Sequence, residues 1–448
     1  MNKKLMTGVS GVRGIVGEGI TPEVVQRYSA VFAETLGPGP VVFGRDSRPS
    51  GEVLRHAVLA GVMGAGHDVL DIGIVPTPTV QLEVERQRAA GGIALTASHN
   101  PIEWNALKFV GPLGRFLSPD EATAFLSRVE DGPASAASGT FGEHKTVSDA
   151  IEHHVDLIHG RREVNPPAVE SAKLRVVVDA VHGAGGAIAR SLLERLGCDV
   201  TILYEAPTGR FPRTPEPLAE HLDVLAAEVK KQGADVGFAL DPDVDRLSLV
   251  DETGTAIGEE WTLALAADHV LDVEPGPVVT NLSTSARMEA VAARHGQTLL
   301  RTAVGEANVV QGILDSRARV GGEGNGGVIL PELHLGRDAP MAAALILTGL
   351  AEGKGSVSRW VGTFPQLAMV KTRVDLSAEP DWDRARDALS EVLAGAEENR
   401  TDGLRMAGGG EWVHLRKSGT EPIIRIIAEA ATPERAKALA QSAATGLA

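Results

Sequence analysis

The chain has 448 residues, a formal net charge of −16, and is 43% hydrophobic, 23% charged and only 4% aromatic. It is too long for one hydrophobic core, so three or four domains of about 100–200 residues are expected. The acidic balance excludes a phosphate-backbone binder, and with tyrosine only at Tyr28 and Tyr204 there are few stacking platforms for single-stranded nucleic acid.

A binder of small anions with this net charge must gather its cations locally, in a cleft. Cys198 is the only cysteine, which excludes an intramolecular disulfide and a thiolate metal cluster; it reads as a small buried residue leading into a strand. The first residues hold two lysines but no apolar signal segment, and no run approaches the roughly 20 apolar residues of a membrane span. A cytoplasmic protein without membrane or nucleic-acid partners is expected.

In chain order, a strand–turn–helix–glycine–strand pattern recurs. The first unit has a strand at 41–43, a polar loop, a helix with apolar positions at a 3.6-residue period, Gly66 and a strand near 69–73. Units at 174–204 and 278–304 repeat that grammar. Each implies a right-handed crossover and largely parallel sheets with helices packed on them. A small, polar stretch at 131–140 precedes a helix expected around 147–160. After Phe364 the chain changes character: a strand at 367–376, a helix at 381–398, two strands around 411–430 and a closing helix begun by Thr432 and Pro433. The expected domains are 1–155, 156–252 and 253–366, three related α/β units with mixed or parallel sheets, and 367–448, a smaller α+β unit.

Candidate chemistry follows the same order. "TGVSGVRG" places Arg13 in what reads as a loop of small residues, where a cation would face an anionic group. "TASHNP" (Thr96 to Pro101) delivers Ser98 from an apolar strand into a turn. It lacks the G-x-S-x-G elbow of a triad hydrolase. His99 is adjacent, and side chains of neighbouring extended residues point apart, which makes it a poor base. A serine without an evident base suits a group that carries phosphate, against the plainer reading of a satisfied turn serine. Lys108 lies ten residues beyond Ser98, where it can exchange a proton with a substrate hydroxyl or stabilise charge on a moving phosphate.

"DPDVDRLSLV" sets Asp241, Asp243 and Asp245 at alternating positions of a strand-like segment. Three carboxylates at that spacing can converge on a hard cation, and without one their mutual repulsion is costly. Arg246 follows, suited to a bidentate phosphate contact. As an EF-hand loop the segment fails, because Arg246 stands where glycine is needed. As an aspartyl-phosphate hydrolase, with Asp241 the nucleophile, the motif alone remains open. "GGEGNGG" presents Glu323 and Asn325 in a glycine-rich turn, residue types that discriminate sugar hydroxyls; it is not a dinucleotide fingerprint. "RKSGTEP" (Arg416 to Pro422), with Arg425 beyond, offers Ser418, Gly419 and Thr420 and two guanidinium groups as an anion nest, without Walker spacing.

Together these elements resemble the α-D-phosphohexomutases: phosphoglucomutases, phosphomannomutases and phosphoglucosamine mutases. The resemblance covers essentially the whole chain, and "TASHNP", "DPDVDR" and "R-x-SGTEP" in one sequence are highly specific. It implies four domains around a central cleft, with Ser98 as the phosphoserine and Ser98, Asp241, Asp243 and Asp245 around one Mg²⁺. It further implies Lys108 as general acid/base, with Arg13 and His99 in the catalytic set. Arg246, Glu323, Asn325, Arg416, Ser418, Gly419, Thr420 and Arg425 would bind substrate. The implied reaction runs through a hexose 1,6-bisphosphate, on a sugar phosphate as sole partner, in a monomer or homodimer.

Three departures stand out. Pro242 replaces the usual glycine of the metal loop. Asn325 and Gly327 replace a common Ser and His of the sugar loop. "VGEANVV" (304–310) differs from forms of that segment that contribute a basic residue. The "EGNGG" loop is most like the phosphoglucosamine-mutase-like branch, which makes glucosamine 6-phosphate the expected substrate, with glucose or mannose phosphates as alternatives. A Mg²⁺-dependent sugar-phosphate phosphatase and a non-catalytic sugar-phosphate binder are the more distant readings.

Overall fold

The computed structural model describes residues 5–9, 11–132, 140–375, 379–418 and 423–447. Among these residues the strands form four sheets. The first runs Leu5–Gly8, Gly11–Ile15, Trp104–Val110, Gly91–Leu95, Val41–Arg45, Val69–Ile74, His144–Thr146. The second runs Leu247–Asp251, Val236–Leu240, Arg175–Asp179, Asp199–Leu203, and the third Leu299–Thr302, Val278–Asn281, Val320–Glu323, Gly327–Ile329. Helices cover these sheets, which is why a strand such as Val236–Leu240 is buried along its whole length rather than at alternate positions.

Each of the first three sheets contains the same four-strand figure. Val41–Arg45 lies between two parallel neighbours, and the second of these, Gly91–Leu95, turns back into antiparallel Trp104–Val110. Arg175–Asp179 with Val236–Leu240 and Leu247–Asp251 repeats it. Val278–Asn281 with Val320–Glu323 and Gly327–Ile329 repeats it again. The turn-back loop is residues 96–103 in the first, 241–246 in the second and 324–326 in the third. These are the three loops that carry Ser98, the aspartate triplet and Asn325. One backbone device, used three times, therefore delivers the chemistry-bearing residues.

The fourth sheet, Ala368–Asp375, Ile423–Ala430, Glu411–Lys417, Leu404–Gly408, Glu397–Asn399, is antiparallel throughout, with Trp382–Val392 and Pro433–Leu447 packed on it. The α+β character of this unit is as expected.

Local signals explain the helix starts. Ser118 and Glu121 form a reciprocal cap for Pro119–Asp131, and Asp338 Oδ1 accepts from Met341 N at 2.8 Å at the head of Ala339–Gly349. The helix expected around 147–160 is Ala150–His159. Arg13 is not in a loop: it lies in Gly11–Ile15, opposite Ala106. That strand is glycine-rich and draws its stability from its partner, so it leaves little trace in its own composition.

The buried apolar side chains do not divide evenly. One cluster spans the second and third units, from Val155 and Ile188 to Leu345 and Trp360. The fourth unit keeps a separate cluster around Leu389, Leu404, Ile426 and Leu439. Where the third and fourth units meet, the described residues make polar contacts: Ser283 Oγ with His414 Nδ1 at 2.8 Å, Ala286 N to Glu429 Oε2 at 2.7 Å, Val304 N to Asp402 Oδ2 at 3.0 Å and Lys371 Nζ to Glu259 Oε1 at 2.8 Å.

Candidate active site

Ser98 has φ 49°, in the left-handed region that non-glycine residues rarely enter. The surroundings hold it there. Arg48, 1% exposed, donates through Nη2 to the carbonyls of Ser98 (2.6 Å) and Asn100 (2.7 Å) and through Nη1 to those of Pro101 and Trp104. Asp46 neutralises Arg48 at 2.9 Å and accepts from Thr96 Oγ1 at 2.7 Å, and Thr96 Oγ1 accepts from Ser98 N at 3.0 Å. A buried ion pair thus fixes the backbone of the turn. The left-handed residue also brings His99 Nδ1 within 3.4 Å of Ser98 Oγ. The extended geometry that would separate these two side chains is absent, so the expectation that they point apart is corrected. Burial, with Arg246 next, holds His99 well below the usual imidazole range, so this ring is neutral.

Across the cleft, Ser98 Oγ donates to Asp241 Oδ2 at 2.8 Å. Residues 143 positions apart meet with hydrogen-bond precision. The aspartates do not belong to a strand-like segment, as their alternation suggests; they occupy the loop after Val236–Leu240. Val244 N donates to Asp241 O at 3.2 Å, and Val244 has φ 63°. A β-branched residue in that conformation stores about 1–3 kcal/mol of strain. The result is convergence: one carboxylate oxygen from each of Asp241, Asp243 and Asp245 lies within 4.8 Å of the others, all three residues buried.

The partners of this triplet show what it is built to hold. Asp243 Oδ2 accepts from Thr77 Oγ1 at 2.8 Å and Lys108 Nζ at 2.6 Å, and Asp245 Oδ2 accepts from Arg337 Nη2 at 2.6 Å. Asp243 Oδ1 and Asp245 Oδ1 are buried with no hydrogen-bond partner among the described residues. Burial, then the Asp243 and Asp245 charges, push Asp241 well above the usual carboxylate range. Burial acts the same way on Asp245, but Arg337, Lys108 and Arg246 outweigh it and hold that carboxyl low. Unpartnered inward oxygens on crowded carboxylates fit a hard divalent cation of the Mg²⁺ type.

Lys108 is charged. Burial lowers its ammonium, but Asp243 and Asp245 raise it further than burial lowers it. Arg246 N donates to Asp241 Oδ1 at 3.3 Å, and its guanidinium stands 3.7 Å from Asp245. Arg13 is depressed by burial and then by Arg246 and Arg425; Arg416 is depressed by burial and by Arg425, with Asp402 opposing. Guanidinium groups from three units therefore share one region, an arrangement that favours a bound anion. Ser418 N donates to Ile423 O at 2.9 Å. Gly419 and Thr420 lie outside the described residues.

Glu323 ends the strand Val320–Glu323 rather than standing in the turn. Its Oε1 accepts from Asn281 Nδ2 (2.8 Å) and Gly305 N (3.0 Å), and its Oε2 from Arg337 Nη1 (2.8 Å) and, at 3.4 Å, Asn325 Nδ2. Arg337 is thus shared between Asp245 of the aspartate loop and Glu323 beside the 324–326 turn. Gly327 gives it room, since a Cβ there would lie 2.2 Å from Arg337 Cδ. The sequence reading missed Arg48, Thr77, Asn281, Glu306 and Arg337. Each is a single ordinary residue whose role comes from topology, and the one available signal is Gly327 where a larger side chain is common.

Comparison with known proteins identifies the family. Models of the phosphoglucomutase/phosphomannomutase family match residues 4–134 (alpha/beta/alpha domain I), 152–254 (domain II), 259–367 (domain III) and 369–445 (C-terminal domain). A Thermococcus kodakarensis protein named "Phosphoglucomutase/phosphomannomutase" is 37% identical, over 96% of this chain and 95% of its own. A Methanopyrus kandleri protein named "Probable phosphoglucosamine mutase" is 35% identical over the same shares. Among solved structures, a Burkholderia thailandensis phosphoglucomutase/phosphomannomutase family protein superposes with a TM-score of 0.85 at 26% identity, covering 100% of this chain and 96% of that one. The chain belongs to the phosphoglucomutase/phosphomannomutase family. It is a phosphohexomutase, an isomerase that works by phosphoryl transfer, on the four-domain α/β fold of that family.

Proposed function

We propose that the protein interconverts glucosamine 6-phosphate and glucosamine 1-phosphate through a phosphorylated Ser98 and a hexosamine 1,6-bisphosphate. The observation that carries the phosphoserine reading is the 2.8 Å contact between Ser98 Oγ and Asp241 Oδ2. The "EGNGG" loop and the names of several relatives support the amino sugar over glucose or mannose.

In this reading phospho-Ser98 donates its phosphoryl group to the free hydroxyl of the bound monophosphate. The bisphosphate turns over, and its other phosphate returns to Ser98. Asp241, Asp243, Asp245 and the Ser98 phosphate would hold Mg²⁺, which supplies charge neutralisation on the transferring group. Lys108 moves the proton of the reacting hydroxyl. Arg13, Arg246 and His99 line the transferring phosphate, and Arg416, Ser418, Gly419, Thr420 and Arg425 grip the distal one. Glu323 and Asn325 read the sugar. The substrate is a free cytoplasmic metabolite, and the catalyst a monomer or homodimer.

Intact-mass measurement tests the reading. One added phosphate, mapped to Ser98 and lost together with mutase activity in Ser98→Ala, is expected. Release of inorganic phosphate that survives Ser98→Ala would replace the mutase by a phosphatase using Asp241. Side-by-side assay of glucosamine, glucose and mannose 6-phosphates tests the sugar.

A further inference from the structure

Glu306 is an acidic residue in the segment that, in other forms, contributes a base. It opens the helix Glu306–Ser316 immediately after Gly305, whose N–H donates to Glu323 at 3.0 Å, so it sits beside the sugar loop. Its side chain is 9% exposed. Oε2 lies 2.9 Å from Arg337 Nε, while Oε1 is buried and has no hydrogen-bond partner among the described residues.

The adjoining hollow is lined by Arg115, Phe116 and Ser118 of the first unit and by Glu306, Ala307, Val310 and Gln311 of the helix. Lys108 Nζ stands 5.7 Å from the centroid of the Phe116 ring, which places this hollow next to the proposed proton-transfer residue. A desolvated carboxylate oxygen calls for a donor, best a cation. The nearby protein cations are already divided: Arg337 among Asp245, Glu323 and Glu306, and Lys108 between Asp243 and Asp245. Arg115 also lines the hollow but makes no hydrogen bond to Glu306 Oε1, which is left for a cation that a substrate brings.

We infer that Glu306 is a specificity-determining residue that pairs with the ammonium group of an amino-sugar phosphate, with Arg337 positioning it. This rests on the hexosamine reading and gives it a physical source. A neutral hydroxyl at the same carbon leaves Oε1 without a charged partner, Oε2 keeping Arg337, and N-acetylation removes the charge.

The test compares kcat and KM for glucosamine 6-phosphate and glucose 6-phosphate in the unaltered protein, Glu306→Gln and Glu306→Ala. The expected result is a preference for the amino sugar that falls about ten- to hundredfold in Glu306→Gln, mostly through KM. A wild-type preference that survives both substitutions overturns the role of Glu306 and leaves the hexosamine reading intact. No preference in the unaltered protein overturns the hexosamine reading itself, and this inference with it. Competition by N-acetylglucosamine 6-phosphate on the unaltered protein is a check that needs no variant. Weaker binding than glucosamine 6-phosphate is expected, and equal binding overturns the inference.

Discussion

Arg48 and Asp243 show two ways a single buried charge serves the site. Arg48 never faces the cleft; it ties four carbonyls around Ser98 and is balanced only by Asp46. Arg48→Met leaves Asp46 buried and unpaired, a change worth about 3–5 kcal/mol. Urea unfolding is expected to show a lowered midpoint of that order, with phosphorylation of Ser98 lost in whatever protein remains folded. Asp243 works differently, since its Oδ1 is held without a protein partner. Asp243→Asn is expected to leave the unfolding midpoint near that of the parent while abolishing turnover at any Mg²⁺ concentration. Unchanged turnover in Mg²⁺ buffer would contradict the metal reading. These two residues also mark the limit of the sequence reading. Asp243 was legible because its two companions are its neighbours in the chain. Arg48 was not, because its four acceptors lie 50 to 56 residues away and nothing in "RDSRPS" announces them.

At the scale of elements, the three repeated turn-back loops explain what was readable and what was mistaken. The strand–helix–strand grammar repeats in sequence because the four-strand figure repeats in space. The loops look unrelated in sequence because only their flanking strands share the figure. The aspartate loop read as strand-like since alternation is the period of an extended segment, whereas the positive φ of Val244 turns these residues so that their carboxylates converge. The loop is wedged against its neighbour: a Cβ on Gly183 would lie 2.7 Å from Pro242 Cα, and Ala184 N donates to Pro242 O at 2.9 Å. Gly183→Ala must therefore shift backbone, at about 1–3 kcal/mol. It is expected to raise the Mg²⁺ concentration needed for half-maximal activity. A variant with unaltered Mg²⁺ dependence would show that the two turns are independent.

Over the whole molecule, the docking of the fourth unit is open to control by acid. His414 is 1% exposed and sits between Ser283 and Asp402 O. Burial is the main cause that lowers its imidazole from 6.5 to about 4. The folded form thus keeps it neutral while the unfolded chain takes up a proton. The associated stability is full above pH 6.5 and is lost as the pH falls toward 4. The loss is worth about 3 kcal/mol across that window. Thermal unfolding followed between those limits is expected to show this slope, and His414→Gln to flatten it. The sequence supplied the number of units and their order, since each carries its own periodicity. It could not supply this contact, or Arg337 between the aspartate loop and Glu323, because those depend on how finished units rest on one another.

The separate apolar cluster of the fourth unit bears on how the proposed bisphosphate would turn within the cleft. The second and third units share one oily spine, so parting them would wet it. The fourth unit, by contrast, is joined to the third among the described residues by hydrogen bonds and ion pairs, which water can replace bond for bond. On the proposed mechanism, parting the fourth unit from the third would make room for a turning sugar while exposing little apolar surface.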